Sequence, residues 1–266
     1  MTFTDQLGQT IKLPSPPRRI ISLVPSQTEL LFYLGLDEEV VGLTKFCIHP
    51  HEKWLTKPRI GGTKKVDFEK IASLKPDLII GNKEENDRQQ IEQLQEFCPV
   101  WLSDIKTLDD ALDMIKSVGE ITGKQVGALE LTNAIQAAFL PLGTNLQQQI
   151  PVAYLIWRKP WMAVGSDTFI HHMLSEVGFI NSFGGKTRYP EITLEELAEA
   201  APTVILLSSE PYPFKQQHVA EIQELCPTAI VKLVDGEMLS WYGSRLLLAA
   251  PYLANLRNEI TDALTI

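Results

Sequence analysis

Basic residues, cysteines and long apolar runs are all scarce in this chain, and each scarcity excludes something. Lys and Arg number 24 against 33 Asp and Glu, a formal net charge of −9. A nucleic-acid surface needs clustered cations to neutralise phosphates, so that class of partner is not expected. The three cysteines, Cys47, Cys98 and Cys226, lie far apart and form no Cys-x-x-Cys unit, which predicts free thiols and no disulfide framework. The longest stretch without a charge, Leu131 to Trp157, is broken by Pro141, Gly143, Asn145, a run of glutamines and Pro151. It cannot span a bilayer, which asks for ~20 mostly apolar residues. Met1 to Leu13 mixes Thr, Asp, Gln and Lys and has neither a basic nor an apolar segment, so it is not a signal peptide. That leaves a cytosolic protein or one whose leader has been removed. There is no Gly-x-Ser-x-Gly, and Gly61-Gly62-Thr63-Lys64 lacks the spacing of a phosphate-binding loop, so no enzyme motif stands out.

What is present is an ordinary globular composition, 44% hydrophobic and 21% charged, carrying an internal repeat. Residues 69–80 read Glu-Lys-Ile-Ala-Ser-Leu-Lys-Pro-Asp-Leu-Ile-Ile, and residues 195–206 repeat the pattern 126 positions later as Glu-Glu-Leu-Ala-Glu-Ala-Ala-Pro-Thr-Val-Ile-Leu. Each copy is an amphipathic helix, a proline stop and a buried strand. A polar loop, a second helix, a Cys-Pro pair and another apolar strand follow in both copies, at Val100 to Leu102 and at Ala229 to Val234. Upstream, the strand Ile20 to Val24 and the following Pro25-Ser26-Gln27 match Val152 to Trp157 and the helix opened by Asp167-Thr168. Strand–helix alternation of this kind predicts α/β lobes with parallel sheets.

The spacing places an N-terminal lobe at 1–121, a connecting helix at 122–146 and a C-terminal lobe at 147–266. Thr122 is the expected cap of that helix with Gln125 completing a capping box. Val126, Leu129, Ala134, Ile135, Ala138 and Phe139 make it apolar over much of its circumference, so a buried strut is predicted. A duplicated two-lobe chain is expected to hold its ligand in the cleft between lobes.

Several segments resemble one known family. They are Asp5-Gln6-Leu7-Gly8, Pro17-Arg18-Arg19-Ile20-Ile21-Ser22-Leu23-Val24-Pro25-Ser26, Thr28-Glu29-Leu30-Leu31, Glu69 to Ile80, and Ser244-Arg245-Leu246-Leu247. Together they are similar to the helical-backbone substrate-binding proteins of ABC importers, the receptors for cobalamin, ferric siderophores and heme, and closest to the cobalamin-binding branch. The resemblance implies two Rossmann-like lobes joined by one long backbone helix. It further implies a transported metal chelate with no cofactor of the protein's own, a permease dimer as partner, a monomeric receptor, and a periplasmic or cell-surface location. The chain departs from the best-known cobalamin receptors at Thr63 and Asn82, where first-lobe tryptophans would be expected. A cytosolic α/β enzyme or chelate carrier using the same cleft is the alternative.

Glu69 and Glu195 are equivalent in the repeat, each in the first turn of its helix. Asp67 caps the first, and Thr193 with Glu196 boxes the second, leaving Glu69 and Glu195 free. Acidic first-turn residues also serve the helix dipole. The family resemblance instead gives this pair the role of docking onto arginines of the two membrane subunits. Ser26 and Glu29 are spaced as a capping box. Pro25, Ser26 and Gln27 stand at a strand's C-terminal end, where open sheets place ligands. Loop aromatics Phe46, Trp157, Trp161, Tyr189, Trp241 and Tyr242 offer flat faces to a macrocycle or aryl siderophore, and Arg158 and Arg245 suit carboxylates or phosphates. His49 could give an axial imidazole to iron or cobalt, although a lone histidine is more often structural. No metal site of the protein's own is expected. Adjacent His171 and His172 diverge by about 100° on a helix and cannot easily share an ion.

Overall fold

The computed structural model describes residues 1–143 and 149–265. The chain divides into two compact units. The first comprises Met1–Ile105, Asp109–Ala134 and Tyr242–Arg245; the second comprises Lys106–Leu108, Ile135–Trp241 and Leu246–Ile266.

In the first unit a hairpin of β1 (Thr2–Thr4) and β2 (Thr10–Lys12) precedes β3 (Ile20–Ser22), α1 (Pro25–Tyr33), β4 (Val40–Leu43) and α2 (His51–Thr56). Next come α3 (Phe68–Ser73), β5 (Leu78–Asn82), α4 (Arg88–Gln95), β6 (Val100–Ser103) and α5 (Leu108–Thr122). Strands β4-β3-β5-β6 form one sheet with every pairing parallel, as strand–helix alternation demands. The β-branched runs of the central strands explain their position: Ile20, Ile21, Ile79 and Ile80 are wholly buried, because helices cover both faces of such a sheet.

The chain passes between units inside α6 (Gln125–Phe139). The second unit then holds β7 (Ile150–Trp157), β8 (Trp161–Ala163), α7 (Phe169–Glu176), β9 (Phe179–Asn181) and β10 (Glu191–Ile192). It continues through α8 (Leu194–Glu199), β11 (Val204–Ser208), α9 (Gln216–Leu225), β12 (Ile230–Val234), α10 (Glu237–Ser240) and α11 (Leu246–Thr265). Its sheet runs β10-β8-β7-β11-β12, with β9 beside β7. This sheet is mixed, not wholly parallel as expected. The turn Arg158-Lys159-Pro160, with Lys159 at φ 67, folds β8 back antiparallel onto β7. Close packing supports that edge: a Cβ on Gly165 would lie 2.5–2.8 Å from the backbone of Lys186, Thr187 and Arg188, and the Gly165 N–H donates to the Arg188 carbonyl at 2.7 Å.

The repeat reads through to the fold. Helix α3 and strand β5 reappear as α8 and β11, with every boundary displaced by the same 126 residues. Both caps form as expected. Asp67 Oδ1 accepts the Lys70 N–H at 3.0 Å, and Thr193 and Glu196 close a reciprocal box at 3.1 and 2.8 Å.

Four expectations are corrected. The connecting helix is shorter than 122–146: Thr122 ends α5, with its hydroxyl donating to the Val118 carbonyl at 2.6 Å, and Gly123 at φ +74 separates it from α6. Residues 140–143 are already turned, and positions 144–146 lie outside the described residues. That helix is not buried on all its apolar sides, because Val126 and Leu129 are exposed while Ala128, Leu131, Ile135 and Phe139 are buried. Ser26 and Glu29 form no capping box: α1 starts with Pro25 in its first turn behind Val24, no side chain caps it, and Glu29 is held elsewhere. The unit boundaries also differ from a C-terminal lobe at 147–266, since Tyr242–Arg245 packs with the first unit.

Candidate functional site

Open α/β sheets take ligands beyond the C-terminal ends of their strands, so the loops there are the place to test the residues named above. In the first unit the end of β3 is closed. Ser26 and Gln27 are buried, and the Gln27 amide donates to Ser103 Oγ at 2.5 Å alongside Asn82 Nδ2 at 2.9 Å. Asn82 also shapes the turn after β5, its Oδ1 accepting the N–H groups of Glu84 and Glu85 at 2.8 and 3.1 Å. An asparagine serves there because its side chain both accepts from the turn and donates across the strand ends.

The loop after β4 is open. Phe46 is half exposed, lies against Gly62, and carries Lys45 Nζ 4.9 Å from its ring centre. His49 is partly exposed in the same loop. Trp54 braces it: the indole donates to the Lys45 carbonyl at 3.2 Å, stacks on His51 at 5.6 Å and takes Arg59 over its face at 4.5 Å. Beneath lies Cys47, its thiol pushed up to about 11 by burial, so it is inert rather than a metal-ligating thiolate. Among the described residues no group of three or more His, Cys, Asp or Glu could hold a metal ion.

In the second unit the ends of β7 and β11 carry an aromatic wall. Trp157 meets Tyr212 edge-on at 5.7 Å, Tyr212 meets Phe214 at 4.8 Å, and Phe214 stacks on Trp161 at 5.9 Å with 12° between planes. His218 backs both Tyr212 and Phe214 at 5.5 Å, while its Nδ1 accepts the Lys215 N–H at 2.9 Å. Arg158 lies 5.6 Å over Trp161 and is fixed by Glu221 through two bonds of 3.0 and 2.9 Å. Trp157, Trp161 and Tyr212 keep part of their surface in solvent. Tyr189, partly exposed with the Arg188 guanidinium at 5.9 Å, stands before β10. Tyr212 and Phe214 were not among the residues read from the sequence. The signal was there: Pro211-Tyr-Pro-Phe follows the strand of the second repeat, at the same place as the loop after β5 in the first.

Trp241, Tyr242 and Arg245 do not form an open wall, contrary to expectation. They are 6%, 5% and 7% exposed, and each polar tip meets a carboxylate of its own unit. The Trp241 indole donates to Glu210 at 2.8 Å, the Tyr242 hydroxyl to Glu85 at 3.0 Å, and Arg245 to both oxygens of Glu29. Burial follows because each polar tip has a partner in place.

Glu69 and Glu195 are exposed, each in the first turn of its capped helix. Glu196, not Glu195, is engaged, pairing with Lys186 at 2.7 Å as well as closing the box.

Comparison with known proteins joins these observations. The profile of the family described as periplasmic binding protein matches residues 20–229. The vitamin B12-binding protein of Vibrio cholerae serotype O1 is 26% identical over 211 residues, covering 78% of this chain and 76% of the relative. In fold, the chain is similar to the periplasmic vitamin B12 binding protein BtuF of Vibrio cholerae, with a TM-score of 0.79, 23% identity, and 93% and 99% of the two chains covered. It is equally similar to the periplasmic heme-binding protein BhuT in complex with two hemes, with a TM-score of 0.80, 23% identity, and 92% and 98% covered.

Proposed function

The chain belongs to the periplasmic binding protein family, and from that premise we propose that it is the ligand-capturing component of an ABC importer for a metal chelate. The family match across both units carries this reading. The chemistry of the exposed loops supports it. Trp157, Trp161 and Tyr212 offer flat faces that suit a corrin, a porphyrin or an aryl siderophore, and Phe46 with His49 offers a second aromatic surface with an imidazole. Both surfaces stand where α/β sheets place ligands. Delivery to a membrane permease would use Glu69 and Glu195, two like charges presented by equivalent helix turns, as a two-fold partner requires. A periplasmic or membrane-anchored location follows from that role. No helix among the described residues is long and apolar enough to cross a membrane itself.

Tryptophan fluorescence titration with cyanocobalamin, cobinamide, heme and ferric siderophores tests the reading. At least one chelate should bind saturably, and Trp161→Ala should weaken it by about 2 kcal/mol, as loss of a central aromatic anchor does. Absence of binding across the panel would remove the proposal.

A further inference from the structure

We infer that the aromatic wall of the second unit takes a ligand whose flat group carries a carboxylate at its rim, and that Arg158 binds that carboxylate. The inference rests on the chelate-binding reading above and uses residues of the second unit alone.

Two loop segments, 157–161 and 211–218, build the wall. They hold Trp157, Trp161, Tyr212 and Phe214 together with three cations, Arg158, Lys159 and Lys215, and no acidic residue. In a chain with 33 acids against 24 bases, this is a local reversal of charge. Glu210, which precedes the second segment, is buried and held by the Ser240 hydroxyl and the Trp241 indole at 2.8 Å. A cationic ligand lying on these rings meets like charges, whereas an anionic one is attracted.

Arg158 is the cation with a fixed position. Its Nε and Nη2 donate to the two oxygens of Glu221 at 3.0 and 2.9 Å, and its guanidinium carbon lies 5.6 Å from the Trp161 ring centre. Its charge is reinforced chiefly by Glu221, with the Tyr212 hydroxyl adding to it. A guanidinium has five N–H donors, and Glu221 engages only one edge of it. The edge formed by Nη1 and the second hydrogen of Nη2 is a further fork of parallel donors, which suits the two oxygens of a carboxylate. The Arg158 and Glu221 side chains are 22% and 35% exposed, so water reaches the pair and screens the Glu221 charge from a second anion. Glu221 and Trp161 already orient the guanidinium, so little further side-chain freedom is lost on binding. Lys159 and Lys215 are exposed and add attraction without geometry.

Two matched pairs of probes separate the carboxylate from the ring that bears it. They are hemin with hemin dimethyl ester, and a peripheral monocarboxylate of cyanocobalamin with cyanocobalamin itself. A neutral ferric tris-hydroxamate completes the panel, and each is titrated against the full chain. In at least one pair the carboxylate form should bind about tenfold more tightly than its neutral partner, and less so at high salt. Arg158→Gln should remove the preference by weakening the carboxylate form alone; retained affinity for the neutral partner reports a folded variant. Arg158→Lys, which keeps the charge without the fork, should cut the preference by about threefold or more. Equal affinity within each pair that binds, or binding of the hydroxamate alone, would overturn the inference and leave the receptor reading intact. A preference that survives both substitutions would overturn it equally. Failure of every probe to bind would remove the receptor reading and this inference with it.

Discussion

Arg245 and Glu29, 216 residues apart, form a two-point ion pair in the first unit, with Nε–Oε2 at 3.0 Å and Nη2–Oε1 at 2.6 Å. Their side chains are 8% and 18% exposed, so both charges are largely withdrawn from water. The pair fastens Tyr242–Arg245 to α1, assisted by Gly243, whose missing side chain lets that backbone lie against Ser26 and Leu30. Arg245→Ala should cost about 2 kcal/mol, because a largely buried carboxylate is then left unpaired. Replacing both partners, as in Glu29→Met with Arg245→Met, should restore more than half of the loss. Chemical denaturation followed by tryptophan fluorescence reads both, and a double variant as unstable as the single one would refute the pairing argument.

Glu210 sets a pH dependence in the second unit. Burial raises its carboxyl above the ordinary glutamate range, against the Ser240 hydroxyl and Trp241 indole, which both favour the ionised form at 2.8 Å. The folded protein therefore holds a proton that the unfolded chain has released, and stability falls as pH rises from the ordinary glutamate value through the raised one. Glu210→Gln keeps an acceptor for both donors and cannot ionise. Its stability relative to wild type should increase as pH rises through that window. Denaturation midpoints of the two proteins that stay parallel from acid to neutral pH would contradict the assignment.

At Gly165 even the smallest substitution should be costly. A methyl group there meets three backbone atoms at 2.5–2.8 Å, and backbone, unlike a flexible side-chain end, cannot step aside. Gly165→Ala should lose about 3 kcal/mol. Gly185, which has nothing within 4 Å of the corresponding position, is the control and should tolerate alanine far better. Thermal melting of the two variants separates them directly.

The proposed docking on a permease would rest on Glu69 and Glu195. Reversing both to Lys should abolish stimulation of the transporter's ATPase in proteoliposomes, since like charges would then meet arginines. Chelate affinity should be nearly unchanged, because neither side chain belongs to the aromatic surfaces. Stimulation that survives the double reversal would return both residues to the ordinary role of first-turn acids.

The amino-acid sequence by itself determined the elements and their duplication. Hydrophobic periodicity, proline stops and capping residues act over a few positions, so α3 with β5 and α8 with β11 could be read at their spacing, along with the Asp67 and Thr193 caps. It also marked Trp157, Arg158, Trp161 and Phe46 as loop side chains at strand ends. Only the tertiary structure decided which polar tips are occupied. Glu29 looked like a capping residue until Arg245 arrived from 216 residues away, and Trp241 looked like an open wall until Glu210 closed on it. Nothing local distinguishes a free arginine from a paired one, because the partner comes from a distant part of the chain and burial depends on what the fold brings there. The antiparallel turn of β8 and the shorter connecting helix were hidden for a related reason. A lysine at φ 67 before Pro160, and Gly123 at φ +74 between two helices, fix chain direction through backbone geometry that a hydrophobic pattern does not carry.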